Sequence, residues 1–216
     1  MFWMSAMARA RVLAASRPGS ISSAVEALRR GEVVAFPTDT VYGLGAHSGI
    51  SLAIEKLYEI KGREHQKAIP LLVAGVEDML RVTSAVPGIA WRLAGRFWPG
   101  PLTIVLPRAI TVLDVLTGGA DSVAVRIPAH AVALDLIKTL GVPLAATSAN
   151  LSGQPEALTA QEVGIALGER LTLILDGGRC PGGVASTVVD VTAWPPVILR
   201  RGALVDEVEA FLSAAS

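Results

Sequence analysis

Apolar positions along this chain follow two alternating rhythms. Ile21, Val25 and Leu28 recur at the spacing of one helix face, and Gly31 stands where a C-terminal cap belongs. Residues 32–36 are a short β-branched run stopped by Pro37, the pattern of a buried strand. Ile54, Leu57 and Tyr58 mark a second helix, with Ser51 as its candidate N-cap, and residues 69–73 are the next apolar run. Residues 89–97 have a helical pattern that ends at Trp98-Pro99-Gly100-Pro101, where two prolines forbid continuation. Residues 102–106 and 122–127 read as strands, 131–140 as a helix ended by Gly141, and 142–146 as a strand. Thr159 and Glu162 form a capping-box signature for a helix reaching Leu167. Three more strands, over 171–175, 186–191 and 197–200, precede a final helix over 205–212.

Strands interleaved with helices early, then crowded late, predict an α/β fold with a twisted mixed parallel/antiparallel sheet and flanking helices. No fixed-period repeat or low-complexity linker divides the chain. The organisation expected is one domain over 18–216 behind a disordered or variable tail over 1–17.

Composition narrows the classes. Hydrophobic residues make up 51% of the chain and charged ones 18%, which excludes wholesale disorder. Nineteen basic and nineteen acidic residues cancel, so a dedicated nucleic-acid coat is disfavoured, although a local basic groove is not. Cys180 is the only cysteine, which excludes an internal disulfide and a cysteine-based zinc module. No apolar run approaches the roughly 18 residues of a membrane span. Residues 1–25 lack acidic side chains and carry Arg9, Arg11 and Arg17, as a transit peptide does. A ragged start with Met1, Met4 and Met7 as alternative initiators explains the same residues, and the expectation is a cytoplasmic protein with no membrane contact. The sequon Asn150-Leu151-Ser152 is read as chance.

Several segments are more polar than scaffolding needs. Pro37-Thr38-Asp39-Thr40-Val41-Tyr42-Gly43-Leu44-Gly45 follows a strand and either lines a ligand pocket or makes a tight turn. Lys61-Gly62-Arg63 with Lys67 fits an anion site, or a solvated helix end. Thr147, Ser148 and Asn150 end an apolar strand with three short hydrogen-bonding side chains, suited to a nucleotide or to an ordinary loop. The glycines of 177–183, followed by Ser186 and Thr187, would free backbone N–H groups for an anion, or make a hairpin. Arg126 and Arg200 sit in apolar strands and need a partner, either a ligand anion or an internal carboxylate. His47, His65 and His130 have no metal-ligand spacing, so no protein metal site is expected.

Together these stretches resemble the YrdC-like threonylcarbamoyl-AMP synthases. The matches are PTDTVYGLG at 37–45, KGR at 61–63, WPGPLTIVL at 98–106, VAVRIP at 123–128, SANLSG at 148–153, STVVD at 186–190 and ILRRG at 198–202. The resemblance implies a single YrdC-like domain whose sheet surrounds a large basic cavity. It implies condensation of L-threonine, bicarbonate and ATP to threonylcarbamoyl-adenylate and pyrophosphate. The product would pass to a downstream tRNA threonylcarbamoyl-transfer complex. By the same likeness Thr40, Arg126 and Ser186 hold threonine, while Lys61, Arg63, Ser148, Asn150 and Arg200 hold ATP, with Lys67 and Thr147 added by nearness. Lys61 and Arg63 would stabilise the phosphates during catalysis without a covalent nucleophile, and Mg²⁺ would travel on the ATP phosphates.

The chain departs from its relatives at Ala74, where some carry histidine, at Ala185, where glutamate is frequent, and at Thr147, where proline is common. Rival readings are a non-catalytic RNA-binding module, for which weak RNA binding on a basic groove would suffice, a carbamoyl-transfer enzyme with another acceptor, and a homologue that only binds threonine or nucleotide.

Overall fold

A computed structural model of the chain describes residues 10–215. The elements are, in chain order, β1 (Arg11–Ala14), α1 (Ser20–Arg29), β2 (Val34–Phe36), β3 (Gly43–His47), α2 (Ser51–Lys61) and β4 (Leu71–Leu72). There follow α3 (Val76–Val82), α4 (Gly88–Phe97), β5 (Leu102–Pro107), α5 (Asp114–Thr117), β6 (Ser122–Arg126) and α6 (Ala131–Leu140). The last are β7 (Leu144–Ser148), α7 (Ala160–Leu167), β8 (Leu173–Asp176), β9 (Thr187–Asp190), β10 (Val197–Arg200) and α8 (Val205–Ala215).

The strands join in one ten-stranded sheet ordered β1-β8-β2-β3-β7-β4-β6-β5-β9-β10. Its ladders are mixed, as the interleaved pattern predicts: β5 pairs antiparallel with β6 and parallel with β9. Side chains alternate across the sheet with period two. Leu102, Ile104 and Leu106 of β5, with Val123 and Val125 of β6, enter the larger core, which also takes Ile54 and Leu57 of α2 and Leu93 of α4. On the opposite face a second core joins α1 and α6 to β1, β2, β7 and β8. No helix residue joins Thr103, Val105, Ala124 and Arg126 there; these four line a cavity instead.

Four elements go beyond the sequence pattern: β1, β3, α3 and α5. The stretch expected to be tail contains edge strand β1, which pairs in parallel with β8. Of its four residues only Leu13 is buried, so the segment carries almost no periodic signal. The initiator reading at positions 1, 4 and 7 lies outside the described residues, as do residues 1–9 of the transit-peptide reading over 1–25. Gly43-Leu44-Gly45, read as a turn or ligand loop, is instead strand β3, held between β2 and β7. Its glycines make room for neighbours: a Cβ on Gly45 would lie 2.8 Å from the Phe36 ring and 2.9 Å from Leu144 Cδ2. The capping box at α7 is present in altered form. Thr159 Oγ1 accepts from Glu162 N at 3.2 Å, while the Glu162 carboxylate reaches the N–H of Leu158. Ser51 is the first residue of α2 rather than its cap, a place taken by Ile50. Among the described residues no helix is long and apolar enough to cross a membrane.

Candidate functional site

The part of the sheet's α1–α6 face which these two helices leave uncovered carries a cavity of about 290 Å³. Its floor is apolar, with Leu72, Val105, Ala124, Ala146 and Val188. Its walls carry Thr40, Arg63, Arg126, Thr147, Ser148, Ser186 and Arg200, brought from six of the motif segments into one space. Asn150 and Lys61 stand behind the wall, both buried. Lys67 is not on the lining; its ammonium pairs with Glu64 at 3.2 Å, and its side chain is 59% exposed.

Arg126 meets the internal-carboxylate alternative. Nη2 donates to Asp39 Oδ1 at 2.5 Å, so the internal carboxylate is present. Nε donates to Gly100 O at 3.0 Å and Nη1 to Thr40 Oγ1 at 3.2 Å. A guanidinium has five N–H groups, so two remain for a ligand. Burial lowers the pKa of Arg126 and Asp39 opposes the shift; a guanidinium stays charged regardless. Thr38 fixes the neighbouring loop. Its hydroxyl donates to Val41 O at 2.7 Å, and its oxygen lies 2.9 Å from Thr40 Oγ1. With the Thr38 proton used on Val41, Thr40 donates to Thr38 and accepts from Arg126. Asp39 Oδ2 is buried without a partner among the described residues. Sequence reasoning missed Asp39 as a structural partner, although it sits inside the PTDT segment.

The cations that the resemblance assigns to ATP have neutral partners. Lys61 Nζ has four oxygens within hydrogen-bond reach of its three N–H groups: Ser148 O and Asn150 Oδ1 at 2.8 Å, Ser148 Oγ at 3.1 Å and Asn150 O at 3.2 Å. Burial pulls the Lys61 pKa down to about 8; nearby Arg63 pushes the same way and Glu156 opposes. Arg63 gives Nε to Lys67 O and Nη2 to Ala68 O, at 3.0 and 2.8 Å. Arg200 gives Nε to Ser186 O and Nη2 to Ser186 Oγ, at 2.9 and 2.8 Å. Burial lowers the pKa of both arginines. Desolvated cations without carboxylate partners attract an anion more strongly than solvated ones. Glu156, not singled out from the sequence, is the one carboxylate on the lining among the described residues.

The glycine-rich loop serves packing. Gly183 N donates to Thr40 O at 2.8 Å, and a Cβ on Gly182 would fall 2.6 Å from Asp39 O. The Tyr42 hydroxyl donates to Gly178 O at 2.8 Å, with burial raising its pKa to about 12. These contacts clasp the loop over 38–42, in place of the anion cradle that free N–H groups would make. Gly202 of the ILRRG stretch is as tightly placed: a Cβ there would lie 2.3 Å from the Ser186 carbonyl carbon and 2.4 Å from Ala185 O. Both obstacles are backbone, so Gly202→Ala should destabilise the fold by about 1–3 kcal/mol and displace Ser186. Thermal denaturation checks this, and an unchanged midpoint would refute the close approach. Of the departures, Ala185 and Thr147 reach the lining, whereas Ala74 packs against the α1–α6 core.

Fold and site define a class: an α/β domain whose mixed sheet carries an arginine-lined pocket on the part of one face that helices leave open. The chain belongs to the Sua5/YciO/YrdC family, whose profile, described as "Telomere recombination", matches residues 26–202. It is 46% identical over 183 residues to the threonylcarbamoyl-AMP synthase of Pyrococcus abyssi, covering 84% of this chain and 54% of that one. It is 43% identical over 188 residues to the enzyme of the same name from Bacillus subtilis, covering 87% and 54%. The chain thus spans about half the length of these relatives. The crystal structure of P. abyssi Sua5 complexed with L-threonine superposes with a TM-score of 0.86 at 46% identity, covering 88% of this chain and 56% of that one.

Proposed function

We propose that this chain is an L-threonylcarbamoyladenylate synthase. It condenses L-threonine, bicarbonate and ATP to threonylcarbamoyl-AMP and pyrophosphate, for N6-threonylcarbamoyladenosine modification of tRNA by a downstream transfer complex. The observation that carries this reading is the meeting of two unlike sets on one cavity. Arg126 has two N–H groups left beside the hydroxyls of Thr40 and Ser186, which suits a small amino acid. Arg63 and Arg200, with Lys61 behind them, have no carboxylate partner among the described residues, which suits a polyphosphate. The synthase names and the threonine complex of the relatives agree with both halves.

The chemistry follows from placement. Threonine's amine takes up bicarbonate with loss of water, giving a carbamate. A carbamate oxygen attacks the α-phosphorus and pyrophosphate leaves. Arg126 holds the carboxylate while Thr40 and Ser186 orient the amino acid. Arg63 and Arg200 neutralise charge on the phosphates, and Ser148 and Asn150, fixed by Lys61, orient the adenylate. Among the described residues no group of three metal-ligating side chains gathers, and Glu156 alone is short of a dedicated ligand set. Mg²⁺ would therefore come on the phosphates.

Pyrophosphate release from ATP and bicarbonate tests the proposal. Release should require L-threonine, fall with L-serine, and drop at least about tenfold in Arg63→Ala. Folded protein that releases pyrophosphate without regard to threonine would overturn it.

A further inference from the structure

Ser186 and Thr103 share one hydrogen bond, with their hydroxyl oxygens 2.8 Å apart. Thr103 stands on β5, and Ser186 immediately precedes β9, the parallel neighbour of β5. Both are buried, at 2% and 3% exposure, and both reach the cavity. Arg200 Nη2 donates to Ser186 Oγ at 2.8 Å. A hydroxyl has one proton and two lone pairs. Two hydroxyls joined by one bond use one proton and keep the other. No protein acceptor among the described residues takes the second.

The direction of the shared bond decides which atom carries that proton, but not that it exists. If Thr103 donates, Arg200 and Thr103 fill both lone pairs of Ser186, and the Ser186 O–H can only act as a donor. If Ser186 donates, the free O–H belongs to Thr103. In either case a buried donor lacks an acceptor, which is costly unless a ligand supplies one.

We propose that Thr103 is a positioning residue for the amino-acid substrate: with Ser186 it presents one hydroxyl proton to the substrate carboxylate, beside the two remaining N–H groups of Arg126. This rests on the amino-acid half of the function proposed above. Thr103 has no hydrogen bond of its own to Lys61, Arg63 or Arg200 among the described residues, and Arg200 keeps its two bonds to Ser186 when Thr103 is replaced, so ATP binding should change little. A threonine inside an apolar strand is ordinary, which is why LTIVL carries no signal for this role.

Calorimetric titration of L-threonine and, separately, of ATP tests the inference in Thr103→Val, Thr103→Ser and Ser186→Ala. Valine keeps the shape and removes the hydroxyl. Threonine should bind Thr103→Val about tenfold more weakly, as loss of a hydrogen bond to a charged group predicts. ATP affinity should stay within about twofold, and Thr103→Ser should recover most of the loss. Thr103→Val combined with Ser186→Ala should cost less than the sum of the two single losses, because the two hydroxyls present one proton between them. Unchanged threonine affinity in Thr103→Val would overturn the inference. So would parallel loss of threonine and ATP binding, or a serine variant as weak as valine, since each indicates a role in shape alone. Wild-type protein that binds ATP but not threonine would overturn the reading of the site itself, and the inference with it.

Discussion

Arg126→Met should destabilise the protein by about 3–5 kcal/mol and abolish threonine-dependent pyrophosphate release, the cost expected when one partner of a buried ion pair is removed. Asp39 lies behind the loss of stability. Its side chain is 10% exposed, and Arg126 is its only ion-pair partner among the described residues. Without the guanidinium, Asp39 becomes a buried charge with neither carboxylate oxygen paired by a cation. Thr40 loses a donor at the same time, so the loop over 38–42 loosens. Urea unfolding at neutral pH measures the effect. Adding Asp39→Asn to Arg126→Met should restore part of the stability and none of the activity, because it removes the stranded charge without replacing the guanidinium. A single variant within about 1 kcal/mol of wild type would show that the pair contributes little.

Lys61→Met should weaken ATP binding by about 100-fold at pH 7, the scale of a desolvated charge lost beside a bound anion. The charge is only part of the effect, because Nζ also sets Ser148 and Asn150 in place. The wild-type affinity should fall as pH rises through about 8, where Lys61 loses its proton, whereas the variant should respond little. The stability effect has the opposite sign. The folded pKa lies below the ordinary lysine value of 10.5, so between about 8 and 10.5 the unfolded chain binds more protons than the folded one. Stability from this group therefore rises with pH across that window, as the cost of the buried ammonium is relieved. Titrations of ATP or pyrophosphate from pH 6.5 to 9.5 decide the matter, and a wild-type affinity that is flat with pH would overturn it.

Much of the site was legible because its segments are chemically out of place in a core. Arg126 interrupts an apolar run, Thr147, Ser148 and Arg200 end one, Thr40, Arg63 and Ser186 lie in polar segments beside such runs, and all seven meet on one cavity. For Lys67 the sequence offers only nearness to the KGR motif. It lies past the turn in which Arg63 bends back onto the carbonyls of Lys67 and Ala68, and its side chain points to Glu64. The glycines show the limit most clearly. Gly45 and Gly182 read as turn or anion chemistry, and Gly202 has no local signal of its own. Each instead leaves space for a neighbour far away in the chain, respectively Phe36 with Leu144, Asp39 with Thr40, and Ser186.

Local pattern alone determined the alternation of strands and helices, the mixed sheet, the Thr159 start of α7 and the identity of the polar interruptions, because periodicity and capping act over a few residues. Tertiary structure alone decided that Asp39 pairs with Arg126 across 87 positions of sequence, that Thr103 meets Ser186 across 83, and that β1 and β3 are strands. The physical reason is common to all three. A sequence period says which face a side chain points to, but what stands opposite it is set by sheet order, and that order joins segments far apart in the chain.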